Sequence, residues 1–250
     1  MAVPSPLGRR PTVAALLVLT AVTGLIDTFS YFSLGHVFVA YMTGNIVFLG
    51  AGLRPGTDPS VSVPAIAVGG FVLGSLAGGR VAARLSRRPR RWLVVTLAVE
   101  AVLLALVALV SGSSPLTPDG AGPDHQSAPA AALFAHVSIA LLTLAAGLQN
   151  STVRHFGVPD LNTSVLTLTL TALTADSALG GGQGAKARRR AGSIAAMLGG
   201  AVVAAALLRV SATAVAALAA VLVALVAAAD PVSPGGDPPD RRAADSLFII

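Results

Sequence analysis

Charged residues are scarce in this chain. They make up 11% of its 250 residues, whereas 54% are hydrophobic. Soluble domains carry roughly 25% charged residues, so this chain has too few charges to cover the surface of a soluble protein. Its apolar runs are about 20 residues long, which is the length that a helix needs to cross about 30 Å of hydrocarbon. The composition therefore indicates an all-α integral membrane protein.

Cysteine is absent, which excludes disulfide bonds, thiolate metal sites and cysteine nucleophiles. The chain also has no Gly-x-Ser-x-Gly, no Walker phosphate loop and no His-Glu-x-x-His motif, which are signatures of hydrolases, nucleotide-binding proteins and metalloproteases. We therefore expect no enzyme, no cofactor and no metal site. The net charge of +6 does not indicate a nucleic-acid partner, because the basic residues form short clusters beside apolar runs and such clusters set membrane orientation.

Six apolar runs predict about six transmembrane helices. They cover residues 12–32, 61–83, 92–110, 130–150, 191–208 and 211–229. The first run resembles a secretory signal peptide, but it is longer than the apolar region of about 7 to 15 residues that such signals have. We divide the chain into a polar lead (residues 1–11), one membrane domain (12–229) and a Pro- and Asp-rich tail (230–250), which we expect to be disordered.

Two further apolar segments, residues 36–53 and 161–178, are interrupted by polar residues or glycines. We expect the first to break at Gly44. Each segment is predicted to be a broken or re-entrant helix, and the sequence leaves open whether either one spans the membrane fully. If only one of them crossed fully, every later basic cluster would change sides, so either both segments return to the side from which they enter or the register of the spans is different.

The basic residues predict the orientation of the chain. With both termini in the cytoplasm, all of the 17 basic residues except Arg54 and Arg209 lie on the cytoplasmic side, as the positive-inside rule requires. The segment 111–129, which has no Lys or Arg, is then an external loop. We also expect the lead and the tail to be cytoplasmic.

The two halves of the membrane domain, residues 12–111 and 130–229, are predicted to be inverted repeats. Gly24 and Asp27 stand near the end of the first span, and Gly147 and Asn150 stand at the end of the fourth. An interrupted segment follows in each half. Since each half has three spans, the second half begins on the opposite side of the membrane. Inverted repeats with broken helices at matching places are typical of secondary transporters, whose sites lie near the midplane.

Several blocks of sequence resemble the signature of the YoaK family of bacterial multipass inner-membrane proteins. The blocks are Gly24-x-x-Asp27, Gly35-x-Val37-Phe38-Val39-Ala40-x-Met42-Thr43-Gly44-Asn45, Leu49-Gly50 and Ala146-Gly147-Leu148-Gln149-Asn150. The resemblance extends over most of residues 12–229. It implies a multipass topology and a location in the bacterial inner membrane. It implies no substrate, because the family has no established one.

Candidate substrate-binding residues are the polar residues and the glycine of these matching segments. They are Asp27, Thr43, Gly44, Asn45, Gln149, Asn150, Thr167 and Thr169. Polar groups are unfavourable in hydrocarbon, so their presence suggests a functional site. The alternative is structural, with hydrogen bonds between helices and close packing at glycine. A stripe formed by Gly70, Gly74 and Gly78 is best explained by such packing.

Three ionisable residues are candidates for proton coupling. They are Asp27, Glu100 and His136. Glu100 lies near the middle of its span, too deep to reach the membrane surface, and an acid and an imidazole together could form a proton relay. Asp27 could instead cap a helix or contact lipid headgroups, and His136 could simply hydrogen-bond to another helix.

The function predicted from the sequence is a secondary transporter or channel for a small solute, and the acids within the apolar runs suggest coupling to protons. The alternative is a non-transporting membrane protein, such as an assembly or sensory partner, whose polar residues only hold helices together. The expected partners are the lipid bilayer and an unknown small solute. A homo-oligomer is left open by the sequence.

Overall fold

The computed structural model describes residues 9–54, 61–113, 128–156, 166–182 and 187–229. In these ranges the chain forms eight α-helices, one short 3₁₀ turn at Ala178–Gly180, and no strand. The helices are α1 (Arg9–Ser33), α2 (Met42–Ala51), α3 (Ser62–Leu85), α4 (Pro89–Ser113), α5 (Ala128–Phe156), α6 (Leu166–Ala175), α7 (Ala187–Leu208) and α8 (Ala212–Ala228). The predictions for residues 1–8, for most of the loop 111–129, for 161–165 and for the tail fall outside the described residues.

Five of the described helices are long and apolar enough to cross a membrane, namely α1, α3, α4, α5 and α7. The sixth predicted span corresponds to α8, which has 17 residues and is therefore about 26 Å long. Near the start of α8, Thr213 lies beside Gly112 at the end of α4. Its last residues share a pocket with Ala14 near the start of α1. The helix therefore extends from one end of the bundle to the other.

Two parallel helix pairs and one antiparallel pair organise the bundle. Helix α3 packs beside α5, and α1 packs beside α7. Helix α4 packs beside α8 and also contacts α5. The short helices lie at the ends of this arrangement, with α2 against α3 and α6 against α7. Among the described elements, α2 follows α1 directly along the chain, and the 3₁₀ turn stands between α6 and α7.

Glycines allow the parallel pair α3 and α5 to approach closely. Gly74 on α3 lies against the backbone of Leu144, and Gly147 on α5 lies against the backbone of Phe71. A Cβ atom at either glycine would collide with these backbone atoms. The prediction that the glycine stripe on this span serves helix packing is therefore confirmed.

The same close approach joins α1 and α7. Gly24 on α1 lies against the backbone of Met197, and Gly200 on α7 lies against the backbone of Ala21. Backbone atoms in contact leave no room for side chains between the two helices. These four glycines therefore set the distance between the helix axes in both parallel pairs.

The helix directions place most arginines at one end of the bundle, which we call the basic end. Helices α1, α4 and α7 begin there, and α3, α5 and α8 end there. The described arginines at or near this end belong to α1, to the junction of α3 and α4, to the end of α5 and to the start of α7. Arg54 and Arg209 lie at the opposite end, because they follow α2 and α7.

Large apolar side chains cover the outside of the bundle as well as its core. Leu109 is 70% exposed, Leu133 is 62% exposed and Leu198 is 63% exposed. Such a surface is unfavourable in water over so large an area. It suits contact with lipid tails, in agreement with a membrane protein.

Candidate functional site

The backbone between α1 and α2 is not helical, and we call residues 34–41 the broken segment. Gly35 has a φ of 102° and His36 a φ of 60°, so both adopt the left-handed region that residues other than glycine rarely occupy. These two residues turn the chain after α1. Val37, Val39 and Ala40 are then buried in the bundle.

The predicted break at Gly44 is wrong. Gly44 lies in the first turn of α2, and the helix continues through it to Ala51. The absence of a side chain serves packing instead, because a Cβ atom at Gly44 would stand 2.9 Å from Cδ2 of Phe38. The break precedes α2 because Gly35 and His36 take the turning conformation.

Asp27 binds the backbone of the broken segment. Its Oδ1 accepts hydrogen bonds from the N–H of Val39 at 2.7 Å and from the N–H of Ala40 at 3.0 Å. The residue is buried, and Oδ2 has no hydrogen-bond partner within the described part of the chain. Asp27 is thus enclosed by the bundle and does not cap α1, and it satisfies two amides that a helix would otherwise have bonded.

Asn45 and Ser30 complete the support of the broken segment. Asn45 donates from Nδ2 to the carbonyl oxygen of Phe38 at 2.6 Å and accepts at Oδ1 from the N–H of the same residue at 3.1 Å. Ser30 donates to the carbonyl oxygen of Val37 at 2.8 Å. Non-helical backbone is tolerated inside a membrane only where its polar groups are satisfied. Three side chains meet that requirement here.

Glu100 on α4 is paired with Gln149 on α5. Nε2 of Gln149 donates a hydrogen bond of 2.9 Å to Oε1 of Glu100. Both residues are buried, and Oε2 of Glu100 has no hydrogen-bond partner among the residues that the structure describes. The partner of Glu100 is thus a neutral amide and not the imidazole of the candidate relay.

Two cavities meet at Gln149. The inner cavity has room for about one water molecule, at ≈ 10 Å³, which is near the minimum that a water needs. It is lined by Glu100, Gln149 and Thr23 together with Val39 and Ala40 of the broken segment. A second cavity, of ≈ 30 Å³, lies towards the basic end. Its polar lining residues are Thr12, Thr96, Gln149 and Thr152.

His136 lies far from Glu100. Its Nε2 is 3.4 Å from the hydroxyl of Ser62, at the start of α3. His136 and Gln149 are separated by about 20 Å along the axis of α5. The direct contact that an acid–imidazole relay between Glu100 and His136 requires is therefore absent in the described structure, and His136 joins two helices instead.

The second interrupted segment forms α6 and the turn that follows it. Thr169 is the buried residue of α6, as Asn45 is the buried residue of α2. Thr167 is exposed, as is Thr43 in the first half. Asn150 donates to the carbonyl oxygen of Ala146 at 3.0 Å. The structure thus does not bring together all eight predicted substrate-binding residues.

Arg190 on α7 holds the end of α6, a contact that the sequence did not predict. Its Nη1 donates to the carbonyl oxygen of Ala172 and to Oδ2 of Asp176, both at 2.7 Å. Ala172 lies in the last turn of α6, where its carbonyl oxygen also accepts from the N–H of Asp176, and a cation is favourable at this end of a helix. The position of Arg190 within a basic cluster concealed this contact, since membrane orientation already explained the cluster.

The chain is similar to known proteins along most of its length. The sequence model of a family described as "Protein of unknown function (DUF1275)" matches residues 15–229. A curated protein of Bacillus subtilis (strain 168), described as "UPF0700 transmembrane protein YoaK", is 31% identical over 170 residues, which make up 67% of each chain. No solved structure matches the chain.

Proposed function

Because the chain belongs to the DUF1275 family and is a membrane protein, we propose that it is a secondary transporter or channel for a small solute, coupled to protons. The observation that carries this proposal is the broken segment, which lies in the bundle beside a cavity lined by Glu100. In secondary transporters, interrupted helices supply unwound backbone to the substrate site. The family resemblance predicted from the sequence motifs is confirmed, and it leaves the solute unspecified.

The proposed architecture has six transmembrane helices in two inverted repeats, α1–α4 and α5–α8. The packing supports it, because exchanging the halves converts the contact of α3 with α5 into that of α7 with α1, and the contact of α2 with α3 into that of α6 with α7. It also converts the contact of α4 with α5 into that of α8 with α1. Three spans in each half give the halves opposite directions.

The glycine contacts support the same exchange at the level of single residues. Gly24 lies against Met197 and Ala201, which are four residues apart on α7. Gly147, its counterpart, lies against Phe71 and Ser75, which are four residues apart on α3. Two helix crossings with matching glycine contacts are expected if the two halves are repeats of one arrangement.

We propose that the basic end faces the cytoplasm of a bacterium and that both termini are on that side. The positive-inside rule supports this orientation, because Arg54 and Arg209 are the described basic residues at the opposite end. The similarity to a transmembrane protein of Bacillus subtilis supports a cell-membrane location.

In the proposed site, Asp27 and Asn45 hold the unwound backbone in place, and Gln149 and Glu100 line the adjoining cavity. The neutral Asn150 and Thr169 hold corresponding places in the second half. Thr43 and Thr167 are exposed, so we assign them no contact with the solute.

A second function is favoured by one specific observation. Both polar groups of the Asn45 side chain are bonded to Phe38, and Oδ1 of Asp27 is bonded to two amides. Side chains that are occupied in this way are suited to a structural role. In this alternative the protein is an assembly or sensory partner that transports nothing.

Thermal stability of the purified protein tests the proposal. We would measure the melting temperature in detergent with a panel of amino acids, sugars, organic acids and monovalent cations. A ligand at 100 times its dissociation constant stabilises the folded state by about 2.7 kcal/mol. The variants are Asp27→Asn and, as a control at an exposed position outside the bundle interior, Arg188→Gln.

We expect one class of solute to raise the melting temperature of the wild type and of Arg188→Gln. The same solute should have no effect on Asp27→Asn. If no solute stabilises the wild type and Asp27→Asn merely melts at a lower temperature, the structural alternative is correct.

A further inference from the structure

We propose that Glu100 is the residue that carries the coupled proton, and that Gln149 connects it to the basic end of the bundle. This inference rests on the proposed transport function and assigns the proton to one of the two buried acids. It also gives the side from which the proton arrives. Two observations support the inference. The two cavities meet at Gln149, and one carboxylate oxygen of Glu100 has no partner among the described residues.

The geometry separates the roles of the two acids. Oδ1 of Asp27 holds two backbone amides of the broken segment, and although its Oδ2 has no described partner, Asp27 is not among the residues that line either cavity. Glu100 has one bond, from the neutral amide of Gln149. A proton can therefore join or leave Glu100 without disrupting the backbone.

Oε2 of Glu100 is the oxygen that can accept the proton. It is buried and has no partner among the described residues, and Glu100 lines the inner cavity. The hydroxyl of Thr23 lines the same cavity and donates to the carbonyl oxygen of Leu19 at 2.9 Å. Its lone pairs therefore remain available to accept a hydrogen bond from a water beside Glu100.

No cation in the described structure pairs with Glu100. Helix α8 has no titratable residue. Among the residues whose side chains the structure describes, the titratable ones on the other helices that pack around Glu100 lie towards the helix ends, with the exception of Asp27. They are Arg80 and Arg84 on α3, His136 and Arg154 on α5, and Tyr31 on α1. A charge on Glu100 is thus uncompensated, which is unfavourable in a membrane interior.

The path to the basic end passes through Gln149. This residue lines both the inner cavity and the cavity that contains Thr12, Thr96 and Thr152. In the proposed step, a hydronium ion entering from the basic end transfers its proton to Oε2 of Glu100. The products are a neutral carboxylic acid and a water molecule, and the reverse transfer releases the proton.

Infrared spectroscopy of the detergent-purified protein tests this assignment without any solute. The measured quantity is the C=O stretching band of a protonated carboxyl group, followed as the pH is changed and after transfer to D₂O. The variants are Glu100→Gln, which keeps an oxygen that can accept the bond from Gln149, and Asp27→Asn. A third variant, Thr152→Cys, places a single thiol of this otherwise cysteine-free chain in the second cavity, where a thiol reagent can block it.

We expect a carboxyl band that changes with pH, shifts in D₂O, persists in Asp27→Asn and is lost in Glu100→Gln. Modification of Thr152→Cys should slow its exchange with D₂O severalfold. A band that is unchanged in Glu100→Gln would overturn the assignment of the proton, and unslowed exchange after the modification would overturn the path. Either failure is distinct from failure of the transport function, because solute-dependent stabilisation is measured separately.

Discussion

The side chain of Asn45 pairs with both backbone groups of Phe38, at 2.6 Å to its carbonyl oxygen and at 3.1 Å from its N–H. A side-chain amide thus bonds the peptide groups of the broken segment as another peptide would. The segment can therefore leave the helix at a place where no water is available to the backbone. Asp27 does the same for the next two amides.

Replacement of Asn45 should destabilise the fold. Asn45→Ala leaves the N–H and C=O of Phe38 without partners, and each buried polar group left in this way costs about 1–3 kcal/mol. We expect a loss of roughly 2–6 kcal/mol in the free energy of unfolding. Thr43→Ala, at an exposed position of the same helix, should change it little. Equal effects of the two variants in detergent unfolding would contradict the role of Asn45.

Two adjacent glycines of α7 provide a matched test of the close helix contacts. In Gly200→Ala the new methyl group would meet the backbone of Ala21, whereas at Gly199 nothing lies within 4 Å. Overpacking of this kind costs about 1–3 kcal/mol. Gly199→Ala should be neutral or stabilising by up to about 1 kcal/mol, since alanine favours the helix. Gly200→Ala should therefore melt at a lower temperature than Gly199→Ala. The reverse order would contradict the packing.

The helices could be predicted from the sequence because their apolar runs have the length that the bilayer demands. The broken segment was harder to place, since Gly44 signals a helix break and Gly35 does so equally. Only the tertiary position of the Phe38 ring explains why Gly44 stays in the helix. The backbone partners of Asp27, 12 and 13 residues further along the chain, likewise depend on the path of that segment.

Loss of Arg190 should loosen α6. Arg190→Gln removes a cation from the carbonyl oxygen of Ala172 and from Asp176. Hydrogen bonds to charged groups contribute about 1.5–3 kcal/mol, so we expect the amides of α6 to exchange hydrogen roughly ten- to a hundredfold faster. Arg188→Gln, at an exposed position of α7, is the control. Unchanged exchange in Arg190→Gln, measured by mass spectrometry, would exclude this role.

Single cysteines can determine the orientation. In the proposed topology, a membrane-impermeant maleimide added to intact cells should label Arg54→Cys. It should label Arg188→Cys only after the membrane is permeabilised. Both residues are exposed and follow or begin helices at opposite ends of the bundle. Labelling of both from the same side would exclude an arrangement in which each half has three spans.

The buried polar residues were recognised from the sequence, but their partners were not. Glu100 was noticed because a carboxyl group deep in an apolar run is unfavourable. Its partner, Gln149, lies on another helix, and the choice between Gln149 and His136 depends on the height of each residue along α5. The sequence of one helix does not show how far a packed neighbouring helix is displaced along its axis.

Solute-driven proton movement in liposomes tests the central claim most directly. The protein would be reconstituted with a pH-sensitive dye enclosed, and the solute panel would be added outside, one compound at a time. We predict that the solute class that stabilises the wild type also changes the internal pH. The change should be lost in Glu100→Gln and retained in Arg188→Gln. If no compound changes the internal pH relative to protein-free liposomes while the reconstituted protein is folded, the transport account is contradicted.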